Sequence, residues 1–111
     1  MNISVESYGH AVMLTVQGEL TEDTLAAFRQ AVDHQLADAD VIDLILNLEE
    51  VPFLDSAALE CLLALQDRLA ERFGRVKLTN AGENVSKILE ITRLDTAFER
   101  CEDVAEAVKN I

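Results

Sequence analysis

The most informative stretch of this sequence is Val51-Pro52-Phe53-Leu54-Asp55-Ser56-Ala57-Ala58-Leu59-Glu60-Cys61-Leu62-Leu63. It follows residues 41–48, a nearly continuous aliphatic run that is typical of a central parallel strand. A loop over residues 49–54 leads to Asp55 and Ser56, two residue types that are favoured at any helix start. We therefore expect a helix from Ser56 to Phe73, with Phe73 on its apolar stripe facing the core and Gly74 as its C-cap. Its position alone does not make Ser56 functional.

Strands and helices alternate on both sides of this stretch. Before it, we expect strands over 3–8 and 11–16 that form a hairpin, and a helix over 22–38 with Thr21 as its N-cap. After it, the patterns indicate a strand at 76–79, a short helix around Val85 and Leu89, an edge strand at 97–101 and a terminal helix capped by Asp103. This order predicts one α/β domain over residues 1–111, with a mixed four- to five-stranded sheet, an N-terminal hairpin and about four helices.

The charge is large and unevenly distributed. The 111 residues carry 21 acids and 9 bases, giving a net charge of −12. Residues 1–67 hold thirteen of the acids and one base, Arg29, whereas residues 68–111 hold eight of each and are neutral. Such acidity disfavours nucleic-acid binding, because the phosphate backbone would be repelled. The acidic part serves either solubility or a partner with a basic face.

Signatures of metal, cofactor and catalytic sites are missing from the sequence. Cys61 and Cys101 are far apart and form no CxxC pair, so we expect two free thiols in a reducing cytoplasm. Neither His10 nor His34 has a second ligand at helical spacing, and no glycine-rich loop precedes a helix. We expect no metal, no cofactor, no signal sequence and no membrane span. A hydrolase using Ser56 is disfavoured, because the residues around it do not form a nucleophile elbow.

The stretch around Ser56 resembles the signature of the STAS domain, the fold of bacterial anti-sigma factor antagonists. That signature is an apolar strand exit, Asp-Ser, a small residue, Gly, an aliphatic residue and then the apolar face of a helix. Two further segments carry the resemblance across nearly the whole chain. Val16–Leu20 is similar to the Gly-Glu-Leu element before the first helix of the family, and Val85–Leu94 followed by Phe98 is similar to its third helix and exit.

The resemblance implies a switch protein and not an enzyme. In that family, the serine of Asp-Ser is phosphorylated by a serine protein kinase and dephosphorylated by a cognate phosphatase, and the unmodified form binds an anti-sigma factor. Carried over, Ser56 is the phosphorylation site, and the kinase, not this chain, binds the ATP. The residues expected at the partner surface are Leu54, Asp55, Ser56, Ala57, Ala58 and Glu60. Whether the protein also forms a homodimer stays open.

Four positions depart from the family pattern. Ala57 stands where Ser or Thr is usual, Ala58 replaces a glycine, Glu60 occupies a position that is often glycine, and Arg93 replaces a glycine after the third helix. We expect Ala58 and Glu60 to influence the choice of partner. The alternative is an accessory STAS subunit of a transporter or signalling assembly, in which Ser56 is only a helix cap or an interface contact.

Overall fold

Five strands and four helices make up residues 1–109, the part of the chain that the computed structural model describes. In chain order they are β1 (Asn2–Tyr8), β2 (Ala11–Gln17), α1 (Leu25–Leu36), β3 (Asp43–Glu50), α2 (Ser56–Ala70), β4 (Val76–Thr79), α3 (Glu83–Ile91), β5 (Glu99–Cys101) and α4 (Val104–Lys109). The strands form one sheet in the order β1-β2-β3-β4-β5, in which only the β1–β2 pair is antiparallel. The predicted α/β fold with a mixed sheet and an N-terminal hairpin is confirmed.

Helices cover both faces of the sheet. The larger core joins alternate residues of β2, β3 and β4 to the buried stripes of α1, α2 and α3. On the opposite face, Ala107 of α4 packs with Ala11, Met13 and Ile45. Because β2 and β3 are buried on both faces, they require the nearly continuous apolar sequence from which they were predicted.

The hairpin is closed by a turn of two residues. Tyr8 pairs with Ala11, which leaves Gly9 and His10 in the turn. Gly9 has a φ of +62° at the first turn position, where a type II′ turn favours glycine. This turn fixes the register between β1 and β2.

The first helix is shorter than predicted, and Thr21 is not its cap. The backbone N–H groups of Thr24 and Leu25 both donate to the carbonyl of Thr21 over 2.9 Å, which forms a separate turn before the helix. The helix then begins at Leu25, and Thr24 occupies its N-cap position. Glu22 and Asp23 therefore lie in the turn and not in the first turn of α1. The predicted apolar stripe is confirmed, since Leu25, Phe28, Val32 and Leu36 are all buried.

The end of α2 also differs from the prediction. The helix stops at Ala70, and Phe73, expected in the core, is 96% exposed with a φ of +61°. The N–H of Gly74 donates to the carbonyl of Leu69, and that of Phe73 donates to Ala70, as in a Schellman motif. Phe73 therefore takes the left-handed position that we assigned to Gly74. Within residues 1–109, no helix is long and apolar enough to span a membrane.

Candidate functional site

The site lies where two loops meet at the carboxyl ends of β2 and β3. Leu20, in the loop before α1, forms a parallel bridge with Leu54, in the loop before α2. The Leu20 N–H donates to the Phe53 carbonyl over 3.1 Å, and the Asp55 N–H donates to the Leu20 carbonyl over 3.3 Å. Carboxyl ends of parallel strands are the usual place for functional residues in open α/β sheets.

Asp55 holds the two loops together and caps α2. Its Oδ1 accepts a hydrogen bond from the Ala58 N–H and its Oδ2 accepts one from the Glu22 N–H, both over 2.9 Å. These backbone hydrogen bonds, that of Glu22 first and that of Ala58 second, lower the pKa of Asp55 more than its partial burial raises it. The carboxylate therefore stays charged near neutral pH and fixes the start of the helix.

Ser56 is the first residue of α2 and its side chain is exposed. Because Asp55 is the N-cap, Ser56 does not have the capping role that the sequence left open for it. Its hydroxyl forms no hydrogen bond with any of residues 1–109. The structure therefore presents a free hydroxyl at the N-terminal end of a fifteen-residue helix, where the helix dipole favours negative charge.

Two of the six residues expected at the partner surface are buried. Leu54 is 2% exposed and Ala58 is 0% exposed, and both belong to the large core. In this structure neither side chain is exposed for such a contact, and their direct contact with a partner stays a prediction. Ala58 lies on the core side of α2, where the helix packs on the sheet, and its methyl group is not available to a partner. Ala57 is half-buried, whereas Glu60 is exposed as predicted.

The exposed apolar residue of the site is Phe53, which the sequence analysis did not select. Its side chain is 41% exposed, directly before the buried Leu54. Successive side chains in an extended segment point to opposite sides. Because the Leu54 side chain points into the core, the Phe53 side chain points outward. The sequence carries no signal for this orientation, because Val51, Phe53 and Leu54 are all apolar. The loop is further held by Asn84, whose Nδ2 donates to the Pro52 carbonyl over 3.0 Å.

Three acidic residues belong to the segments around Ser56. Asp55 is its neighbour in the chain, the backbone N–H of Glu22 is hydrogen-bonded to Asp55, and Glu60 lies one helical turn further along α2. The two histidines lie elsewhere. His10 is in the turn between β1 and β2, where its carbonyl accepts a hydrogen bond from the Ile42 N–H, and His34 is in the last turn of α1. The hydrolase hypothesis therefore has no histidine base beside Ser56. Residues 1–109 also hold no group of three or more His, Cys, Asp or Glu side chains that could bind a metal ion.

A family model described as the STAS domain matches residues 2–107. Three solved structures share the fold over nearly the whole chain. The Thermotoga maritima protein TM1081 has a TM-score of 0.89 and 20% identity, covering 98% of this chain and 93% of that one. An anti-sigma factor antagonist from Mycobacterium paratuberculosis has a TM-score of 0.85 and 26% identity, covering 97% and 91%. The Bacillus cell fate determinant SpoIIAA in its phosphorylated form has a TM-score of 0.73 and 21% identity, covering 97% of each chain.

The same fold occurs within a much larger protein. The murine anion transporter Slc26a9 matches 94% of this chain with a TM-score of 0.79 and 18% identity, but the match spans only 18% of the transporter. At this identity the likeness shows a shared fold.

Proposed function

Because the chain belongs to the STAS domain family, we propose that it is an anti-sigma factor antagonist whose binding is switched by phosphorylation of Ser56. In this proposal the unmodified protein binds an anti-sigma factor in the cytoplasm. A serine protein kinase phosphorylates Ser56 and ends the binding, and a cognate phosphatase restores it. The protein acts by binding and sequestering its partner, and it performs no catalysis.

One observation carries the proposal, namely the division of roles between Asp55 and Ser56. Asp55 makes both the helix cap and the link to Glu22, so the Ser56 hydroxyl is exposed and has no structural hydrogen bond to lose. A phosphate ester can form there without disturbing the start of α2. The helix dipole also offsets part of the added charge within the folded protein.

The phosphate would change the surface, and not the fold. It adds about −1.5 to −2 charge at pH 7 beside Asp55 and within one helical turn of Glu60. A partner that buries the hydroxyl would have to accommodate three phosphate oxygens and desolvate a dianion. Both effects favour release of the partner.

The proposed contact surface is centred on Phe53 and Ser56 and bordered by Glu22 and Glu60. Phe53 supplies exposed apolar area, and the acids select a partner with lysine or arginine around an apolar centre. Charge attraction of this kind acts mainly on the association rate and is screened by salt. We therefore expect association to slow as the salt concentration rises.

The test is to locate the phosphate on the protein. Protein isolated from its own host is resolved on a phosphate-binding gel before and after phosphatase treatment, and the modified peptide is identified by mass spectrometry. We expect a phosphatase-sensitive band that Ser56→Ala removes and that Ser7→Ala, a matched change at an exposed serine of β1, leaves in place. A phosphate on another residue would contradict the proposed site.

A second candidate is an accessory STAS subunit of a transporter, which the likeness to Slc26a9 favours. In that case Ser56 stays unmodified in the host, and the chain co-purifies with membranes through a transporter. Affinity purification of the unmodified protein separates the two candidates, because the first predicts an anti-sigma factor and the second a membrane protein.

A further inference from the structure

The helices that follow β4 and β5 lie on opposite faces of the sheet. The two strands are parallel neighbours, and Thr79 and Cys101 are their last paired residues. The helix after β4, α3, packs in the large core together with α1 and α2, whereas the helix after β5, α4, packs on the other face through Ala107. Within residues 1–109, β4 and β5 are the only parallel neighbours whose outgoing helices diverge in this way. Ligands of open α/β sheets bind in the crevice outside the carboxyl ends of the strands at such a reversal.

A crevice of about 540 Å³ lies at this point. Its lining residues are Leu78, Ala81, Arg100, Cys101 and Glu102. Ala81 belongs to the connection from β4 to α3, and Glu102 belongs to the connection from β5 to α4. The crevice therefore opens where the two connections part, and its volume is in the range of small-molecule sites, about 300–1,000 Å³.

The crevice combines apolar surface with one positively charged side chain. Leu78 is 1% exposed and Ala81 is half-buried. Nη2 of Arg100 donates a hydrogen bond to Oγ of Ser86 on α3 over 2.8 Å, which holds the guanidinium towards α3. Among residues 1–109 this guanidinium forms no ion pair with a carboxylate, although the chain has 21 acids. A guanidinium carries five N–H donors, so most of those of Arg100 are left for an acceptor from outside the chain.

The charges around the crevice favour a ligand with a single negative charge. Burial, and next the carboxylate of Glu99, raise the pKa of the Cys101 thiol, so the thiol is uncharged near neutral pH. A carboxylate matches the planar guanidinium of Arg100 in a bidentate pair. A phosphate dianion could form the same pair, but Glu102 and the net charge of −12 would repel it more strongly.

We propose that this crevice binds a small organic monocarboxylate, with its carboxylate on Arg100 and its apolar portion against Leu78 and Ala81. The guanidinium selects the anion, and burial of the apolar portion adds affinity. The crevice shares no residue with the segment 53–60, so the proposal does not depend on the proposed function of Ser56.

The test is a titration of the full chain with hexanoate, followed through the NMR signals of the backbone amides. We expect saturable shifts at residues 81 and 100–102, with a dissociation constant of about 1 mM or lower. Butyrate should bind more weakly than hexanoate, because its shorter chain buries less apolar surface. Hexylammonium has the opposite charge and inorganic phosphate has no apolar portion, so each should bind at least about tenfold more weakly than hexanoate.

Three variants test the assigned side chains. Arg100→Gln should weaken hexanoate binding at least about tenfold, whereas Arg29→Gln, a matched change at an exposed arginine of α1, should leave it unchanged. Glu102→Gln should tighten hexanoate binding, because it removes a like charge from the crevice. Glu102→Gln keeps Arg100 and Ser86 in place, so it tests the charge preference even if Arg100→Gln does not fold.

Four outcomes would overturn the proposal. The first is the absence of saturable shifts at residues 81 and 100–102 up to about 20 mM hexanoate. The second is hexanoate binding that Arg100→Gln leaves unchanged while circular dichroism shows the variant folded. The third is equal affinity for hexanoate and for either hexylammonium or inorganic phosphate. The fourth is weaker hexanoate binding in Glu102→Gln.

Discussion

The backbone N–H of Glu22 donates a hydrogen bond to Oδ2 of Asp55, 33 positions later in the chain, over 2.9 Å. The other carboxylate oxygen of Asp55 accepts from Ala58 at the start of α2. One side chain thus fixes the loop before α1 against the N-terminus of α2. The position of Ser56 depends on Asp55, and not on hydrogen bonds of its own.

We predict that Asp55→Ala lowers the melting temperature clearly and Ser56→Ala does not. The first change leaves the N–H groups of Glu22 and Ala58 without their acceptor, whereas the second removes an exposed hydroxyl and should alter stability by less than about 0.5 kcal/mol. Thermal unfolding measures both. Amide exchange should also become faster at Glu22 and Ala58 in Asp55→Ala only. Equal destabilisation by the two variants would mean that Ser56 takes part in the cap.

The contribution of Asp55 should depend on pH with a definite sign. Its pKa in the folded protein lies below the ordinary value of 3.8, so it stabilises the fold fully above that value and loses this effect as pH falls through its folded pKa. The difference in melting temperature between the wild type and Asp55→Asn should be constant near neutral pH and shrink as the pH falls below 3.8 and through the folded pKa of Asp55. A difference that does not change with pH would show that the charge of Asp55 contributes nothing.

The sequence predicted the strands and the helix faces well, because they depend on periodic apolar residues. The site was predicted less completely. Asp55 and Ser56 are both favoured at helix starts, so their types alone do not tell which is the cap. The contact of Asp55 with Glu22 joins residues distant in sequence, and no local pattern predicts it. The burial of Ala58 depends on how α2 rests on the sheet. Phe53 was missed because the loop was treated as irregular, although the bridge from Leu20 to Leu54 makes it locally extended.

Gly74 is required by contact and not by its backbone conformation. A Cβ atom built on Gly74 would lie 1.9 Å from the Ile42 carbonyl oxygen, a backbone atom that cannot easily move, whereas one on Gly82 would meet nothing within 4 Å. We predict that Gly74→Ala destabilises the protein by about 3 kcal/mol, as overpacking does, and that Gly82→Ala costs less than about 1 kcal/mol. Denaturant unfolding compares the two. Similar costs would place the Ile42 carbonyl farther from Gly74.

Arg93, which stands where the family commonly has glycine, has a φ of +60° after α3. Its N–H donates to the Glu90 carbonyl and that of Leu94 donates to Leu89, the same motif that ends α2. Glycine adopts this conformation without steric cost, so Arg93→Gly should stabilise the protein by about 0.5–1 kcal/mol. Glu90→Gly, inside α3, should instead cost about 1 kcal/mol. A loss of stability in Arg93→Gly would show that the arginine side chain contributes more than its backbone costs.

The left-handed residues at the helix ends could not be predicted from the sequence. Glycine is the usual residue in the left-handed position, so Gly74 was assigned to it, yet Phe73 and Arg93 occupy these positions here. The approach of Ile42 explains why residue 74 is glycine although it does not take the left-handed position, and no local pattern encodes that contact. The same limit explains why Phe73 was placed in the core although it is exposed.

We propose that one phosphate on Ser56 controls partner binding without unfolding the protein. The most direct test is the affinity of the anti-sigma factor for the unmodified and the Ser56-phosphorylated protein, measured side by side by isothermal titration calorimetry. We predict that phosphorylation weakens binding at least about tenfold, or about 1.4 kcal/mol, while the circular dichroism spectrum stays the same. Equal affinity of the two forms would contradict the account.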